Sequence, residues 1–259
     1  MRTVAIIQAR CSGGTRFGGP KVLAMLGKKT VVQRVVERVR EAKVDEVVCA
    51  IPDTPENDPL ATHLLDGDCA MVRGPEDDVL ARYALAASHS RAELIVRVTA
   101  DCPLVDAGII NGLLKLQDEW GAEYVSNNLE RSFPHGLDAE VFTAEALLEA
   151  NVKETRPEGR EHPTIWIREN LAYQRVNMDA PTAARASLKK VMEKARLTLD
   201  YKEDFLLLNA IFAMLDPLDD RYVTVAEVLG LLESRPIMMK VNAHCAQRWN
   251  AEQRKLALA

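Results

Sequence analysis

The chain has 259 residues, of which 47% are hydrophobic and 27% charged, and its formal net charge is -5 at pH 7. This composition is typical of a soluble globular protein with a substantial core. The negative net charge argues against general binding to nucleic acid or to a membrane surface, and no apolar stretch approaches the length of a membrane span. The five cysteines are scattered without a C-x-x-C pair, which favours a reduced cytoplasm, without disulfides or a zinc site.

The chain begins with an apolar run at 4–7 that predicts a buried strand, and it continues into a loop rich in glycines and cations. The residues of this loop are Arg10, Gly13, Gly14, Arg16, Gly18, Gly19 and Lys21. Residues 1–36 contain seven basic residues and no acidic one. A strand, a glycine loop and a helix commonly aim backbone amides at phosphate, so we predict an anion site here. The alternative is a flexible loop that is basic by chance.

The glycine loop matches neither of two common phosphate-binding motifs. It lacks the G-x-G-x-x-G spacing of a dinucleotide site. The interval from Gly14 to Gly19 has the spacing of a P-loop, but Pro20 precedes Lys21 and Val22 replaces the metal-binding hydroxyl. We therefore expect neither a dinucleotide site nor a Walker site.

Strand and helix patterns alternate along the chain. The first half predicts strands at 46–51, 69–72 and 93–101 and helices ending near residue 42 and at 79–88. The second half predicts helices at 109–120, 143–152, 203–214 and 224–233, strands at 123–126, within 133–142 and at 196–199, and a charged loop at 155–162; residues 172–196 are ambiguous. This order predicts a largely parallel sheet with its ligand at the carboxyl ends of the strands, where the glycine loop, Asp53, Arg73 and Asp101 would gather.

Several motifs, in order, resemble the acylneuraminate cytidylyltransferase family, in its spore-coat polysaccharide branch. They include Ala-Ile-Ile-Gln-Ala-Arg at 5–10, Val-Arg-Gly-Pro-Glu-Asp-Asp-Val-Leu-Ala-Arg-Tyr at 72–83, Val-Arg-Val-Thr-Ala-Asp-Cys-Pro at 96–103, Gly-Leu-Asp-Ala-Glu-Val-Phe at 136–142 and Leu-Thr-Leu-Asp-Tyr at 197–201. The resemblance implies an α/β Rossmann-like nucleotide-diphospho-sugar transferase fold, with a mostly parallel mixed sheet flanked by helices. It implies one domain over 1–259, with an arm at 130–170 used for dimerisation and a tail at 236–259.

The resemblance also implies an activity. A Mg²⁺-dependent cytidylyltransferase would couple CTP to an acidic sugar of the nonulosonic or ulosonic type, for surface glycan biosynthesis, and would work as a homodimer. Two alternatives stay open: a nucleotidyltransferase of the same fold that uses another NTP and a sugar 1-phosphate, and a catalytically weak nucleotide-binding homologue. A retaining glycosyltransferase is less favoured, because the segment from Ala100 to Pro103 lacks an Asp-x-Asp motif.

Site residues follow from the resemblance position by position. The catalytic cations would be Arg10, Arg16 and Lys21, and the Mg²⁺ ligands would be Asp101 and Asp200. The nucleotide would be bound by Ala9, Arg10, Gly13, Gly14, Lys21, Arg73, Asp78 and Thr99. The sugar would be bound by Asp138, Glu140, Arg160 and His162. From Arg10 to Arg16 to Lys21 each interval is one residue longer than is usual in the family.

Structural roles compete at several of these positions. Asp78 could be a helix N-cap, and Asp200 with Glu203 three residues later has the form of a capping box. Arg160 could belong to a surface ion pair with Glu161. In the predicted arm, Phe133, Trp166 and Ile167 are expected to be exposed and to pack on a second copy of the chain.

Overall fold

A computed structural model describes residues 1–12, 16–67, 69–181, 186–219 and 221–256. The strands in these ranges are β1 (Thr3–Gln8), β2 (Met25–Leu26), β3 (Lys29–Thr30), β4 (Glu46–Pro52), β5 (Ala70–Gly74), β6 (Leu94–Thr99), β7 (Tyr124–Ser126), β8 (Glu140–Thr143) and β9 (Arg175–Asn177). The α-helices there are α1 (Val31–Arg40), α2 (Asp58–Asp66), α3 (Val79–Ser90), α4 (Ala107–Trp120), α5 (Ala144–Lys153), α6 (Pro157–Glu161), α7 (Ile165–Glu169), α8 (Ala186–Lys194), α9 (Lys202–Leu215), α10 (Val225–Ser234) and α11 (Ala243–Leu256).

Seven of the strands form one mixed sheet in the order β5-β4-β1-β6-β8-β7-β9. Strands β5, β4, β1 and β6 run parallel, β8 is antiparallel to both of its neighbours, and β9 is parallel to β7. The predicted mostly parallel mixed sheet is thereby confirmed. The short strands β2 and β3 pair separately as an antiparallel ribbon.

The order of the strands reverses beside β1. From β1 the chain moves outward through β4 and β5 and then returns to place β6 on the other side of β1. In open α/β sheets a ligand binds in the crevice at such a reversal, outside the carboxyl ends of the strands. The ends of β1 and β6 lie side by side, because Gln8 pairs with Thr99.

Helices cover both faces of the sheet, which explains why β1, β4 and β6 are apolar almost throughout. Buried side chains of α1, α2, α4, α9 and α10 pack on one face, and those of α3, α5 and α7 pack on the other. The valines of α1 form the predicted apolar stripe, and a capping box between Thr30 and Gln33 begins that helix. No helix within the described ranges is both long and apolar enough to cross a membrane.

Two predictions of secondary structure are wrong, those for 196–199 and 155–162. Residues 196–199 are not a strand of the sheet, since only Arg196 forms an isolated bridge, to His135. The predicted charged loop at 155–162 contains the short helix α6, and the predicted tail at 236–259 contains α11. The ambiguous stretch at 172–196 contains β9 and α8.

The predicted exposure of the arm is also wrong in detail. Phe133 and Ile167 are buried in the chain's own core, with 6% and 0% of their surface exposed, and Trp166 is half-buried against Tyr173. The apolar residues that are exposed in this part of the chain are Leu148 and Val152. Dimerisation itself stays a prediction.

Candidate functional site

Lys21, Asp101 and Asp200 meet where β1 and β6 end. The Lys21 ammonium lies 2.8 Å from Oδ2 of Asp101 and 2.9 Å from Oδ1 of Asp200. Asp101 follows β6 after one intervening residue, whereas Asp200 comes from the segment just before α9. The structure thus brings together the predicted phosphate lysine and the two predicted metal ligands.

The charges in this cluster stabilise one another. The side chains of Lys21, Asp101 and Asp200 are only 19%, 25% and 12% exposed. Burial disfavours the ammonium, but the two carboxylates outweigh it and raise the pKa of Lys21. Burial also disfavours the Asp101 carboxylate, yet the charge of Lys21 and hydrogen bonds from Lys21 and Thr99 hold the pKa of Asp101 well below its ordinary value. Lys21 and Asp101 are therefore both charged at neutral pH.

Arg196 binds the second oxygen of Asp200. Its Nη2 donates to Oδ2 of Asp200 at 2.6 Å, and its Nε donates to Oδ1 of Asp204 at 3.1 Å. Its Nη1 lies 2.9 Å from Nδ1 of His135, which must be the acceptor because arginine stays protonated. Asp200 therefore contacts a cation through each of its oxygens, and both of these contacts orient it.

Backbone hydrogen bonds place Asp200 beside Asp101. The N–H of Leu199 donates to the carbonyl of Asp101 at 2.8 Å, and the N–H of Leu197 donates to the carbonyl of His135 at 2.6 Å. The bonding partners of this segment are loops rather than a sheet strand, which explains why it is not a strand itself. Its position brings a carboxylate from the C-terminal half of the chain to the end of β6.

This close approach depends on a glycine. Gly136 has a φ of +105°, and a Cβ at this position would lie 2.3 Å from the carbonyl carbon of Leu197 and from the nitrogen of Thr198. No side chain larger than hydrogen fits at such a distance without moving the backbone. The glycine of the Gly-Leu-Asp motif is thus required by the segment that precedes Asp200.

The predicted capping role of Asp200 is wrong. The N-cap of α9 is Tyr201, and Oδ2 of Asp204 accepts hydrogen bonds from the backbone N–H groups of Asp200 and Tyr201, each at 3.0 Å. Asp204 therefore provides the hydrogen-bond acceptor for the backbone N–H groups at the start of α9. The side chain of Asp200 is left to bind Lys21 and Arg196.

A cavity of about 290 Å³, here called the inner cavity, is lined by this cluster. Its walls contain Ala9, Arg10, Arg16, Lys21, Thr99, Asp101, His162 and Asp200 from the predicted set, together with Gln8, Ser12, Val22 and Ala100. The three predicted catalytic cations and both predicted metal ligands thus share one cavity. Gly13 and Gly14, two predicted nucleotide contacts, lie outside the described residues.

A second cavity of about 720 Å³, here called the outer cavity, shares Gln8, Arg10 and His162 with the inner one. Its other walls are Pro75, Glu76, Asp77, Asp78, Val79, Pro157, Arg160 and Glu161. Asp78 is the N-cap of α3, as the structural alternative predicted, because its Oδ1 accepts the N–H of Ala81 at 2.9 Å. Its Oδ2 accepts from Nε of Arg160 at 3.0 Å. The two cavities together suit a ligand with one strongly anionic end.

Arg73 lies apart from both cavities in the described part of the chain. Its guanidinium binds the carboxylate of Asp53 at 3.0 Å and that of Asp58 at 2.7 Å. Both partners are more than half exposed. Its predicted contact with the nucleotide stays a prediction, and the structure gives it an ion-pair role at the surface.

The four predicted sugar ligands do not meet at one place. Arg160 and His162 line the outer cavity. Glu140 is buried on β8, where its Oε1 accepts from Nη1 of Arg97 at 2.8 Å. Asp138 binds Nη1 of Arg131 at 2.6 Å and accepts the N–H of Gly136 at 3.0 Å. Their role in binding a sugar stays a prediction.

A third cavity, of about 710 Å³, lies between α8, α11 and residues 131–135 and is here called the basic cavity. Its charged and ionisable walls are Arg131, His135, Lys189, Glu193, Lys194 and Arg196. Trp249 also lines it, with its ring edge-on to His135 at 5.3 Å between centroids. Burial lowers the pKa of His135, although Asp138 opposes that shift. The imidazole is therefore neutral at neutral pH.

Sequence reasoning missed Gln8, His135 and Arg196. Gln8 stands next to the predicted Ala9, His135 lies three residues before the predicted Asp138, and Arg196 begins the apolar run at 196–199. Nearness in the chain to predicted residues was the only signal of their roles in the sequence. The contacts that give these residues a role join segments that are distant in the chain.

The family of the chain is established by comparison with known proteins. Residues 12–198 match the MobA-like NTP transferase domain. The chain belongs to this family. Among its relatives, the spore coat polysaccharide biosynthesis protein SpsF of Bacillus subtilis (strain 168) is 30% identical over 238 residues, which cover 89% of this chain and 94% of the relative. The 3-deoxy-manno-octulosonate cytidylyltransferase of Geotalea uraniireducens is 30% identical over 234 residues, which cover 90% of this chain and 86% of the relative.

Solved structures agree with this membership. A cytidylyltransferase from Leptospira borgpetersenii superposes with a TM-score of 0.80 at 25% identity and covers 92% of this chain and 97% of its own. A CMP:2-keto-3-deoxy-manno-octonic acid synthetase complexed with CTP shares the fold, with a TM-score of 0.59 at 13% identity over 83% of this chain and 99% of its own. The predicted resemblance to cytidylyltransferases and the predicted fold are confirmed.

Proposed function

We propose that the chain transfers the cytidylyl group of CTP to an acidic sugar of the ulosonic or nonulosonic type and releases pyrophosphate. The observation that carries this proposal is the meeting of Lys21, Asp101 and Asp200 in a cavity that Arg10 and Arg16 also line. The names of the relatives support it, since one is a cytidylyltransferase for 3-deoxy-manno-octulosonate and another belongs to polysaccharide biosynthesis.

The proposed reaction is a displacement at the α-phosphorus of CTP. A hydroxyl oxygen of the sugar forms the new P–O bond and releases its proton to solvent, and the bond to the pyrophosphate oxygen breaks. Negative charge accumulates on the phosphoryl oxygens and on the leaving group, so the site needs fixed cations more than a nucleophile of its own. The guanidinium groups of Arg10 and Arg16 can each donate two hydrogen bonds to phosphate oxygens, and the ammonium of Lys21 supplies a compact positive charge.

Asp101 and Asp200 are the proposed ligands of Mg²⁺. Hard carboxylate oxygens together with phosphate and water are what this ion prefers. The fit is supported by the Lys21 ammonium, because a cation already lies within 3 Å of an oxygen from each carboxylate. When bound, the ion would neutralise charge on the triphosphate.

The basic cavity is the proposed site of the acidic sugar, in place of the predicted contacts Glu140, Arg160 and His162, which are not among its described walls. Arg131, Lys189 and Lys194 offer charges to a carboxylate, and the neutral His135 can hydrogen-bond to hydroxyl groups. Arg196 lines this cavity and also binds Asp200. A sugar held there would lie close to the proposed phosphate site.

Pyrophosphate release tests the function directly. The purified protein is incubated with Mg²⁺, each of the four NTPs, and either an ulosonic acid, a nonulosonic acid or a sugar 1-phosphate. We expect release with CTP and an acidic sugar. Faster release with another NTP and a sugar 1-phosphate would establish the alternative transferase, and tight CTP binding without release from any pair would establish a catalytically weak homologue.

The metal site has a separate test. In Asp101→Asn and Asp200→Asn, we expect the binding of Mn²⁺ in the presence of CTP to weaken strongly, with the double variant little worse than either single one. Electron paramagnetic resonance of Mn²⁺ measures this without turnover. Asp58→Asn is the control, because Asp58 is exposed and pairs with Arg73 outside the cavities. Unchanged Mn²⁺ binding in Asp200→Asn would remove Asp200 from the proposed ligand set.

A further inference from the structure

A buried ion pair lies near the junction of the inner and outer cavities. Nη1 of Arg97 donates to Oε1 of Glu140 at 2.8 Å, and their side chains are only 17% and 4% exposed. The Arg97 guanidinium lies 6.0 Å from the ring centroid of Tyr83. Burial of two opposite charges costs desolvation that their attraction often fails to offset, so such a pair is weak as a source of stability. Its contacts indicate a different role.

The contact that matters is with Gln8. Nη2 of Arg97 donates to Oε1 of Gln8 at 3.4 Å. Gln8 is the last residue of β1 and lines both the inner and the outer cavity. Because Arg97 can only donate, the carbonyl oxygen of the Gln8 amide faces the arginine. The amide nitrogen, with its two donor hydrogens, is then the group that Gln8 can offer to a ligand.

The charges of the cavity walls indicate which cavity suits the phosphates of a nucleotide and which suits its base. The walls of the inner cavity contain three cations, Arg10, Arg16 and Lys21, and two acidic residues, Asp101 and Asp200, so the excess of positive charge there suits phosphates. The walls of the outer cavity contain four acidic residues, Glu76, Asp77, Asp78 and Glu161, and two arginines, Arg10 and Arg160. The excess of negative charge disfavours phosphates, and the carboxylates can accept hydrogen bonds from an amino group. The base therefore belongs in the outer cavity, and Gln8 lies at its boundary with the inner one.

We propose that Gln8 selects the base of the nucleotide and that Arg97 and Glu140 are its positioning residues. This inference rests on the proposed use of CTP. The hydrogen-bonding edge of cytosine carries two adjacent acceptors, O2 and N3, next to an amino donor. Uracil differs at N3, which carries a hydrogen and donates. An amide nitrogen held by Arg97 matches the acceptor N3 of cytosine and opposes the N3–H of uracil.

The first test replaces Gln8 and measures kcat/KM for CTP and for UTP. Gln8→Leu removes the donor, so we expect the CTP-to-UTP ratio to fall about tenfold or more, the effect of one hydrogen bond in a shielded site. Gln8→Glu retains an acceptor that Arg97 can bind and presents a carboxylate to the base. Since a carboxylate accepts from the N3–H of uracil, we expect this variant to shift the ratio further toward UTP.

The second test concerns the positioning residues. Glu140→Gln keeps the shape of the side chain but removes the charge that holds Arg97, so we expect a smaller fall in the same ratio. In Gln8→Leu/Glu140→Gln we expect no fall beyond that of Gln8→Leu alone, because Glu140 acts through Gln8. A merely structural role of Glu140 would lower stability and leave the ratio unchanged.

Gln117→Leu is the matched control, since Gln117 is a buried glutamine on α4 that donates to the carbonyl of Ala122. We expect this variant to lose stability and to keep the ratio of the wild type. Calorimetric affinities for CTP and UTP give the ratio in any variant that folds but turns over slowly. Wild-type ratios in both Gln8 variants would overturn the inference and leave the proposed function intact, whereas a wild-type protein that neither binds nor uses CTP would overturn the proposed function itself.

Discussion

At the scale of single residues, one ammonium group keeps two carboxylates together. Two carboxylates that share a buried site normally raise the pKa of one of them. Here Lys21 lies between Asp101 and Asp200, and the pKa of Asp101 is lowered instead. Asp101 is therefore charged before any ligand arrives, which is the state that the proposed metal-bound nucleotide needs.

Lys21→Met should lose catalysis while keeping the fold. We expect turnover to fall by roughly 10²–10³, the usual effect of removing one group that stabilises the transition state. The measurement is the initial rate of pyrophosphate release, with a melting curve to verify folding. Lys115→Met is the control, because Lys115 is 77% exposed on α4 and forms a surface ion pair with Glu119. Near-parental turnover in Lys21→Met would contradict the role of the cluster.

At the scale of elements, the site depends on how one irregular segment is held. Residues 196–200 follow α8 and are held by hydrogen bonds to His135 and Asp101, not by a sheet. The backbone at Gly136 lies directly against this segment. A change in this packing would move Asp200 without touching its side chain.

Gly136→Ala should therefore reduce both stability and activity. The positive φ and the contact at 2.3 Å each disfavour a Cβ, and we expect a loss of about 2–4 kcal/mol in the free energy of unfolding. Urea denaturation measures this loss. Gly230→Ala is the control, because an added Cβ at Gly230, on α10, would meet no atom of the described residues within 4 Å beyond its chain neighbours and the backbone of its own helix. Equal stability of the two variants would show that the backbone around Gly136 and Leu197 can move apart to admit a Cβ at little cost in free energy.

The start of α10 should make a pH-dependent contribution to stability. Glu227 accepts hydrogen bonds from the backbone and hydroxyl of Thr224, each at 2.8 Å. These bonds, with Arg221, lower the pKa of Glu227 to about 2. Because the pKa of Glu227 is lower in the folded chain than in the unfolded one, its charge stabilises the fold at pH values above the ordinary glutamate pKa of about 4.3. This contribution is lost as the pH falls toward about 2.

We expect Glu227→Ala to cost about 1 kcal/mol at pH 7, the usual value of a helix cap. The difference from the wild type should shrink below about pH 4, where the unfolded chain becomes protonated. Urea denaturation at pH 7 and at pH 3.5 measures both values. A difference that is the same at the two pH values would exclude the capping carboxylate as its cause.

Much of the fold could be predicted because its signals are local. Apolar runs predicted β1, β4 and β6, and ordered motifs predicted Lys21, Asp101 and Asp200. Arg196 could not be predicted in the same way, since its partners are His135, Asp200 and Asp204 and only the folded chain brings the first of these to it. The role proposed for Gln8 likewise depends on its hydrogen bond with Arg97, which lies on another strand.

At the scale of the whole molecule, we expect a homodimer. Phe133 and Ile167 cannot form its interface because they are buried within the chain. Leu148 and Val152, which are 45% and 81% exposed on α5, are the apolar candidates. Light scattering at micromolar concentration should give twice the mass of one chain, and Val152→Glu should shift it toward the mass of one. A wild-type monomer would contradict this prediction.

The contact between Lys21 and Asp200 spans 179 residues of chain. Closing such a long loop comes late in folding, because its entropy must be offset by contacts made earlier. During synthesis, a chain that has not yet emerged beyond Asp200 holds the basic loop and Asp101 but lacks the second carboxylate. Under the proposed function, activity would therefore require translation past Asp200, and its appearance would report that this long-range contact has formed.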